Sequence, residues 1–598
     1  MWAPAATSVE VVLLEDPERI VALERRDRGY FEATVPGTGV GTRYRFRLDG
    51  QRELPDPASR FQPEGVHGPS EVFDRLDDDG TEELWDDPAW RGRPLADYVV
   101  YELHVGTFTE EGTFDGAAAH LDELAELGIT AVELMPVAQF PGTRNWGYDG
   151  VFPYAVQDSY GGPEGLRRFV GACHSRGLAV VLDVVHNHVG PEGNVLREYG
   201  PYFTDRYRTP WGDAVNFDGP GSDEVRRFFS ESALRWLAQF HVDALRLDAI
   251  HGILDFSAKP FLQELAEAVD ELARAASRPL FLVAESDLND SRFVTPVERG
   301  GVGLHGQWHD DFHHALHAQL TGERGGYYLD FGTLGHLARA FTDGYVYQGQ
   351  YSEFRRRRHG NSSRGVPAER LVAFSQNHDQ VGNRAQGDRL STLVSFEAQK
   401  LAAGVVLLSP FPPLLFMGQE YGETAPFPYF VSHSDQRLVR AVRRGRAAEF
   451  VSFGWTGRVP DPQHEATFAS ARLDRSLRDR EPHRSLLDLH RELLALRRTV
   501  PALAHLSKED MAVSADEDAR VLVLRRRSGS DEVLAVFNLS EEPARVAVGG
   551  LEGRWDRLID SADERWAGPG SRTPPELLGD ERLPLGPTSF VMYGRAGG

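Results

Sequence analysis

The sequence predicts an α/β fold in which a closed barrel of parallel strands and helices carries one β domain before it and another after it. Three observations carry this. From about residue 89 to residue 500, apolar runs of strand length alternate with amphipathic stretches of helix length. Residues 1–88 and 501–598 instead show short alternating runs parted by Gly and Pro turns. The 598 residues are too many for one ordinary domain and suit a barrel with accessory domains. The expected organisation is an N-terminal β-sandwich domain (1–88), a (β/α)8 TIM barrel with insertions (89–500) and a C-terminal all-β domain (501–598).

In chain order, Ser8–Leu14 and Arg43–Leu48 read as strands of the first domain, with Pro36-Gly37 among the turns between them. The opening Trp2-Ala3-Pro4-Ala5-Ala6 runs almost directly into a strand where a sandwich wants another before it, so we expect the chain to begin inside the first strand or loop. The acidic run Asp77-Asp78-Asp79 reads as a solvated turn or linker. The barrel strands are expected at Tyr98–Leu103, Ala131–Leu134, Ala179–Val184, Ala244–Leu247, Leu280–Ala284, Gly306–Trp308, Leu371–Phe374 and Leu414–Phe416. The sixth is the hardest to place. Helices are expected at Asp115–Leu127, Pro163–Arg176, Asp223–Phe240 and Pro260–Ala275, with a long one near 484–498 closing the region. After Ser507, Val521–Leu524, Val533–Phe537 and Arg545–Val548 alternate as strands.

Composition excludes several function classes. A net charge of −25 repels a polyanion, so no nucleic-acid partner is expected. The dense basic run Arg355–Arg358, followed by His359, reads as a solvated turn or as a substrate-facing loop. The most membrane-like stretch, Leu401 to Gly418, holds Pro410, Pro412 and Pro413, which break a spanning helix, so helix–turn–strand and no membrane are expected there. Met1 to Ala6 has neither a basic nor an apolar region of a signal peptide. Cys173 is the single cysteine, so no internal disulfide forms, which suits a cytoplasmic protein. Nothing in the composition fixes an oligomeric state; monomer or weak dimer is expected.

Four strand ends carry the chemistry. The third reads Asp183-Val184-Val185-His186-Asn187-His188, the fourth Arg246-Leu247-Asp248-Ala249-Ile250-His251, the fifth Ala284-Glu285-Ser286-Asp287 and the seventh Gln376-Asn377-His378-Asp379-Gln380. One carboxylate at a strand end is as often a helix cap as a catalyst. Four in order at the C-terminal ends of barrel strands mark an active site. Acetal cleavage with retention needs one carboxylate to attack the anomeric carbon and one carboxylic acid to protonate the leaving oxygen. A third carboxylate can bind sugar hydroxyls as charge develops. Arg246 lies two residues before Asp248, so both face one side of the strand, and the guanidinium keeps Asp248 ionised as a nucleophile. Glu285 follows the apolar Phe281-Leu282-Val283-Ala284 with no adjacent cation, a setting that suits a general acid/base. Asp379 is the third carboxylate. The ring nitrogens of His188 and His378 can hydrogen-bond sugar hydroxyls or serve as structural histidines.

These clusters resemble the four short signatures of the α-amylase superfamily of glycoside hydrolases, in order and across the whole barrel. The resemblance implies the roles given to Asp248, Glu285 and Asp379, sugar contacts from Arg246, His188 and His378, and support from Asp183. One departure stands out. Where amylases usually show Ala-x-Lys-His after the nucleophile, this chain has Ala249-Ile250-His251-Gly252, so His251 takes the Lys position and contacts beyond the cleaved bond differ. Further segments narrow the resemblance: Leu54–Ser70, Phe140–Gly150, Gln307–His314, Tyr351–Gly360 and the run Gln376–Arg384, which includes Gln380 and Asn383. All are similar to the malto-oligosyltrehalose trehalohydrolase family. That implies hydrolysis of the α-1,4 bond next to a terminal trehalose unit, malto-oligosyltrehalose and maltodextrin as binding partners, a place in trehalose biosynthesis, and no cofactor. A glucan branching or debranching enzyme shares the catalytic trio, and a non-catalytic glucan-binding protein would be expected to lose one of its acids.

Other residues carry two readings each. Trp146 and Tyr148 suit stacking on a sugar face. Asp310 and Asp311 follow a strand, so sugar contact or a helix cap fits both. His309, His313 and His317 share a helical face, but no zinc-protease pattern is present, and no metal is expected.

Overall fold

Eight apolar runs of three to six residues close into a barrel because their neighbours on both faces are apolar, as parallel strands covered by helices require. The structure, a computed structural model, describes residues 1–73, 87, 89–452, 459–579 and 582–595, the last four of the 436–452 helix by backbone alone. The barrel strands are β1 (Val100–Leu103), β2 (Ala131–Leu134), β3 (Ala179–Val184), β4 (Ala244–Leu247), β5 (Phe281–Ala284), β6 (Gly306–Trp308), β7 (Leu371–Phe374) and β8 (Pro413–Phe416). Each pairs in parallel with its sequence neighbour, and β8 closes on β1 through Leu414↔Val100. All eight expected strands are present, the sixth included. Tyr98 and Val99 fall outside β1 because a single helical turn, Leu95–Asp97, ends there.

Alternation along the strands sorts side chains into an interior and an exterior. Val100, Ala131, Ala179, Val181, Ala244, Val283, Val372 and Leu414 form one apolar cluster, the floor of the barrel interior. Two residues further along the same faces stand Glu102, Glu133, Asp183 and Arg246, all buried. The interior therefore turns from apolar to charged toward the C-terminal ends of the strands.

Helices Gly162–Ser175, Ser222–Gln239, Phe261–Ala276 and His483–Thr499 lie where periodicity expects them. The stretch Asp115–Leu127 instead forms two helices, Phe114–Ala118 and Leu121–Leu127. His120 leaves helical geometry (φ −111°, ψ 5°), and its Nδ1 sits 3.1 Å from Glu123 Oε1 at the start of the second helix. The stretch 401–418 is the end of helix Phe396–Leu407, a turn and β8. Among the described residues no helix is long and apolar enough to cross a membrane.

Strands Val9–Leu13, Arg19–Ala22, Arg43–Leu48, Arg52–Leu54 and Ser70–Glu71 make an antiparallel sheet in the first 73 residues, with a ribbon of Glu24–Arg25 and Phe31–Glu32 beside it. The first strand finds its partners in Arg19–Ala22 and Arg43–Leu48. The acidic run 77–79 and the boundary expected at 88 lie outside the described residues. Beyond the barrel, a six-stranded sheet and a two-stranded pair make up the C-terminal β domain.

Candidate active site

Strand geometry brings the carboxylates together. Arg246 points into the barrel from β4 with no exposed surface, and its guanidinium meets four acids. Nη1 donates to Asp183 Oδ1 and Oδ2 (2.9 and 2.8 Å) and to Asp248 Oδ1 (2.9 Å). Nη2 pairs with Glu285 Oε2 at 3.3 Å and lies 3.9 Å from Asp379 Oδ2. The indole of Trp308, on β6, lies 4.2 Å from the guanidinium carbon and backs it as a cation–π partner. Thus acids from the ends of β3, β4, β5 and β7 share one cation, which limits their mutual repulsion. The expectation that Glu285 lacks a cation therefore needs correction: adjacency in the chain does not show a guanidinium reaching across from β4.

The backbone turns sharply after the fourth strand. Ala249 adopts a left-handed conformation (φ 38°, ψ 54°), and its N–H donates to Glu285 Oε2 at 2.5 Å. A side chain held there is strained by about 1–3 kcal/mol, and the turn locks the Asp248 and Glu285 carboxylates to one another. Asn187 Nδ2 donates to Asp248 Oδ2 (2.6 Å) and to its carbonyl (2.7 Å), fixing the carboxylate from β3.

Electrostatics separate the acids. Burial pushes the Glu285 carboxyl up to about 8; Arg246 opposes the rise, and Asp248 and Asp379 add to it. Asp310, at the start of the helix after β6, is driven well up by burial, then by Glu285 and Asp379 nearby. Asp183 is raised to about 6 by burial against the pull of Arg246. His378 is held up near 9: burial works against its cation, while Asp379 and Glu102 favour it.

Several expected sugar contacts are placed differently. Trp146 is buried, stacked on Phe427 (5.3 Å, 12°), edge-on to His378, and donates to the Pro428 carbonyl. It supports the site from below and presents no free face. The cause is Gly147, at φ 109°, where a Cβ would lie 2.1 Å from the Pro136 carbonyl oxygen; the turn aims Tyr148, not Trp146, at the acids. Tyr148 donates to Asp183 Oδ2 (2.5 Å) and meets His378 Nε2 (2.7 Å). Asp311 is also a support: it accepts from Val346 N (2.6 Å), Tyr347 N (3.1 Å) and Asn289 Nδ2 (2.8 Å), because helix geometry turns it away from Asp310. His188 has both ring nitrogens engaged, by Asn187 Oδ1 and the Tyr148 carbonyl, and its ring stacks on Trp211 (4.9 Å, 8°). His378 likewise has both nitrogens engaged, by Glu102 and Tyr148.

Gln380 and Asn383 follow Asp379 on one short turn; Asn383 is exposed, with Nδ2 3.3 Å from Asp379 Oδ1. His251 stands at the rim, 3.9 Å from Asp287, which Arg355 also contacts at 3.1 Å. Only Arg355 of the basic run turns inward; Arg356 to Arg358 are exposed. Gly252 answers the departure in the sequence: a Cβ there would lie 3.0 Å from the Trp211 ring, so the small residue lets that indole pack over the site's edge. His309, His313 and His317 bond to the Ala340 carbonyl, to the Ser375 carbonyl and Tyr328, and to Glu323, respectively. Glu102, Glu133 and Trp308 are absent from the residues singled out in sequence. Their signal was a charged or bulky residue inside an otherwise apolar strand.

Comparison with known proteins agrees with this arrangement. The family described as alpha amylase, catalytic domain matches residues 71–209, and carbohydrate-binding module 48 (isoamylase N-terminal domain) matches residues 1–62. A crystal structure from Salmonella typhimurium, described as a candidate alpha amylase, superposes with a TM-score of 0.88 at 38% identity, covering 100% of this chain and 97% of its own. The chain is 48% identical to the malto-oligosyltrehalose trehalohydrolase of Saccharolobus solfataricus over 83% of its length and 84% of that protein's. It is also 48% identical to the Arthrobacter ramosus protein of the same name, with 92% of each covered. The chain belongs to the malto-oligosyltrehalose trehalohydrolase family of α-amylase-type glycoside hydrolases.

Proposed function

We propose that the protein hydrolyses the α-1,4-glucosidic bond next to the terminal trehalose unit of malto-oligosyltrehalose, with retention, releasing trehalose and a shorter maltodextrin. The observation that carries this reading is the convergence of Asp183, Asp248, Glu285 and Asp379 on the Arg246 guanidinium at the C-terminal mouth of the barrel. Asp248, paired at 2.9 Å with Arg246, is the nucleophile that attacks the anomeric carbon. Glu285, kept protonated by burial, gives its proton to the leaving oxygen and then takes one from the incoming water. Asp379 draws the sugar toward the oxocarbenium-like transition state by binding its hydroxyls. Tyr148, Asp310, Gln380 and Asn383 line the same mouth and contact the substrate. His251 and Arg355, which meet at Asp287, border the side that takes the trehalose unit.

The reaction feeds trehalose formation from maltodextrins. We place it in the cytoplasm, on the strength of a single cysteine, Cys173, which is buried and unpaired, and expect a monomer or weak dimer.

The test is product analysis. Maltopentaosyl trehalose and plain maltohexaose are digested separately and the products resolved by chromatography. Rapid release of trehalose from the first with little action on the second is the expected result. Comparable cutting of both, or new branch points, overturns the substrate assignment. A fluorinated glycosyl donor should label Asp248, read by peptide mass; label elsewhere overturns its role.

A further inference from the structure

The charged layer inside the barrel contains more than the reacting trio uses. Glu102 on β1 and Glu133 on β2 are register partners, both buried, one layer below the acids. Glu102 Oε2 accepts the His378 backbone N–H at 3.0 Å, and its Oε1 lies 2.5 Å from His378 Nδ1. On the other side of the ring, His378 Nε2 lies 2.7 Å from the Tyr148 hydroxyl.

Counting protons decides what the ring carries. Tyr148 has one hydroxyl proton, and it points at Asp183 Oδ2, 2.5 Å away. Asp183, paired with Arg246 Nη1 through both oxygens and raised only to about 6, is an acceptor at pH 7 and supplies none. The Tyr148 oxygen must then accept from His378, which places a proton on Nε2. Across the ring, an ionised Glu102 requires a proton on Nδ1 as well. Both nitrogens are donors only in the imidazolium form.

We propose that Glu102 is a positioning residue that holds His378 as a doubly protonated imidazolium, and that through Tyr148 and Asp183 this cation fixes the orientation of Arg246 and the carboxylates it gathers. The chain of contacts runs from β1 to the nucleophile on β4: Glu102, His378, Tyr148, Asp183, Arg246, Asp248. The imidazolium also faces Asp379 across 3.5 Å, so it is a second cation beside the third carboxylate.

Charge balance agrees. The groups facing the ring are Glu102 and His104 from β1 and its end, Glu133 from β2, Asp183 from β3 and Arg246 from β4. Trp308 from β6, Trp146, Tyr148 and Asp379 complete its surroundings. Burial drives Glu133 well up, with Glu102 and Asp183 adding to the rise, and burial drives His104 down to about 4, so both are pushed away from their charged forms. Glu102, with one oxygen on the His378 backbone N–H and the other on Nδ1, is the carboxylate that meets the ring directly.

The activity arm rests on the hydrolase reading; the structural arm does not. In the first, Glu102→Gln keeps the shape and removes the charge. We expect kcat to fall 10- to 100-fold with KM changed less than threefold, and the alkaline limb of the pH profile to move to lower pH. A Glu102→Gln enzyme with wild-type kcat and pH profile overturns the proposal. In the second arm, neutron diffraction from wild-type crystals at pH 7 should show deuterium on both ring nitrogens of His378. Deuterium on one nitrogen alone overturns the proposal, whether or not Glu102→Gln folds and whatever the substrate proves to be.

Discussion

Each residue at the mouth owes its behaviour to the low-dielectric pocket and to a single guanidinium. Removing the Tyr148 hydroxyl leaves Asp183 and His378 facing without their shared partner. A hydrogen bond to a charged group contributes about 1.5–3 kcal/mol, so Tyr148→Phe should lower kcat/KM by roughly one to two orders of magnitude, measured with maltopentaosyl trehalose. Glu285 makes a second prediction. Its carboxyl is raised to about 8, first by burial, and the acid must be protonated to act. Activity is therefore retained below that value and lost as pH rises through it. The kcat/KM profile should show an alkaline limb near pH 8, and Glu285→Gln should lower kcat by about 10²- to 10⁴-fold. A profile flat to pH 10, or Gln at full rate, would assign the acid elsewhere.

At the scale of elements, a buried latch holds the lower end of the barrel. His174, on helix Gly162–Ser175, sits between Asp87 (2.5 Å) and Asp243 (3.0 Å), and Trp90 stacks on its ring (4.5 Å, 11°). Burial alone would lower the His174 value, but the hydrogen bonds to Asp243 and Asp87 raise it. Asp87 and Asp243 are both lowered, despite burial, by their bonds to His174. The sign follows. The histidine's contribution is complete below about pH 6.5, its unfolded value, and is lost as pH rises through the higher folded value. The aspartates' contribution is present above about pH 3.9 and is lost on acidification. Without His174, Asp243 keeps Arg278 and Trp90, and Asp87 keeps His241. His174→Ala therefore removes two charge-assisted bonds and leaves each carboxylate partly held, costing about 1–3 kcal/mol near pH 6. Denaturant unfolding across pH should show the gap between variant and wild type shrinking toward alkaline pH; a constant gap would mean that His174 acts by packing alone.

Across the whole molecule, buried cations join the C-terminal β domain to the barrel. Arg526, fully enclosed, donates to the carbonyls of Leu408, Ser409, Leu503 and His505. Lys400, on the barrel helix Phe396–Leu407, donates to the carbonyls of Ser561 and Trp566. At Gly404 the ring of Phe590 approaches so closely that a Cβ would lie 2.6 Å from it. Truncating Arg526 strands several buried carbonyls, each costing about 1–3 kcal/mol. Arg526→Ala should split one calorimetric transition into two, the earlier from the C-terminal domain, while kcat at 25 °C stays unchanged. A single transition at the wild-type temperature would show that Arg526 does not couple the domains. On the opposite flank, Arg28 and Tyr30, in the turn between the ribbon strands Glu24–Arg25 and Phe31–Glu32, bond Glu224 at the start of helix Ser222–Gln239, and His67 reaches Glu192 after β3.

The sequence by itself determined most of the barrel, because most strands are largely apolar runs beside amphipathic helices, patterns that depend only on neighbours in the chain. The sixth strand, Gly306-Gln307-Trp308, and the apolar helix Phe396–Leu407 carry little of that signal. The sequence also marked the acids near the strand ends: Asp248 and Glu285 directly after their strands, Asp183 next to last in β3, and Asp379 on the short helix His378–Gly382 that follows β7. Tertiary structure decided what those acids share. That Arg246 reaches four of them, that Trp146 and Asp311 serve as supports, and that both nitrogens of His378 are engaged depend on contacts between residues far apart in the chain. Glu102 shows why: 276 residues separate it from His378. Only closure of β8 on β1 brings β7 and β1 near enough for one carboxylate to hold that ring.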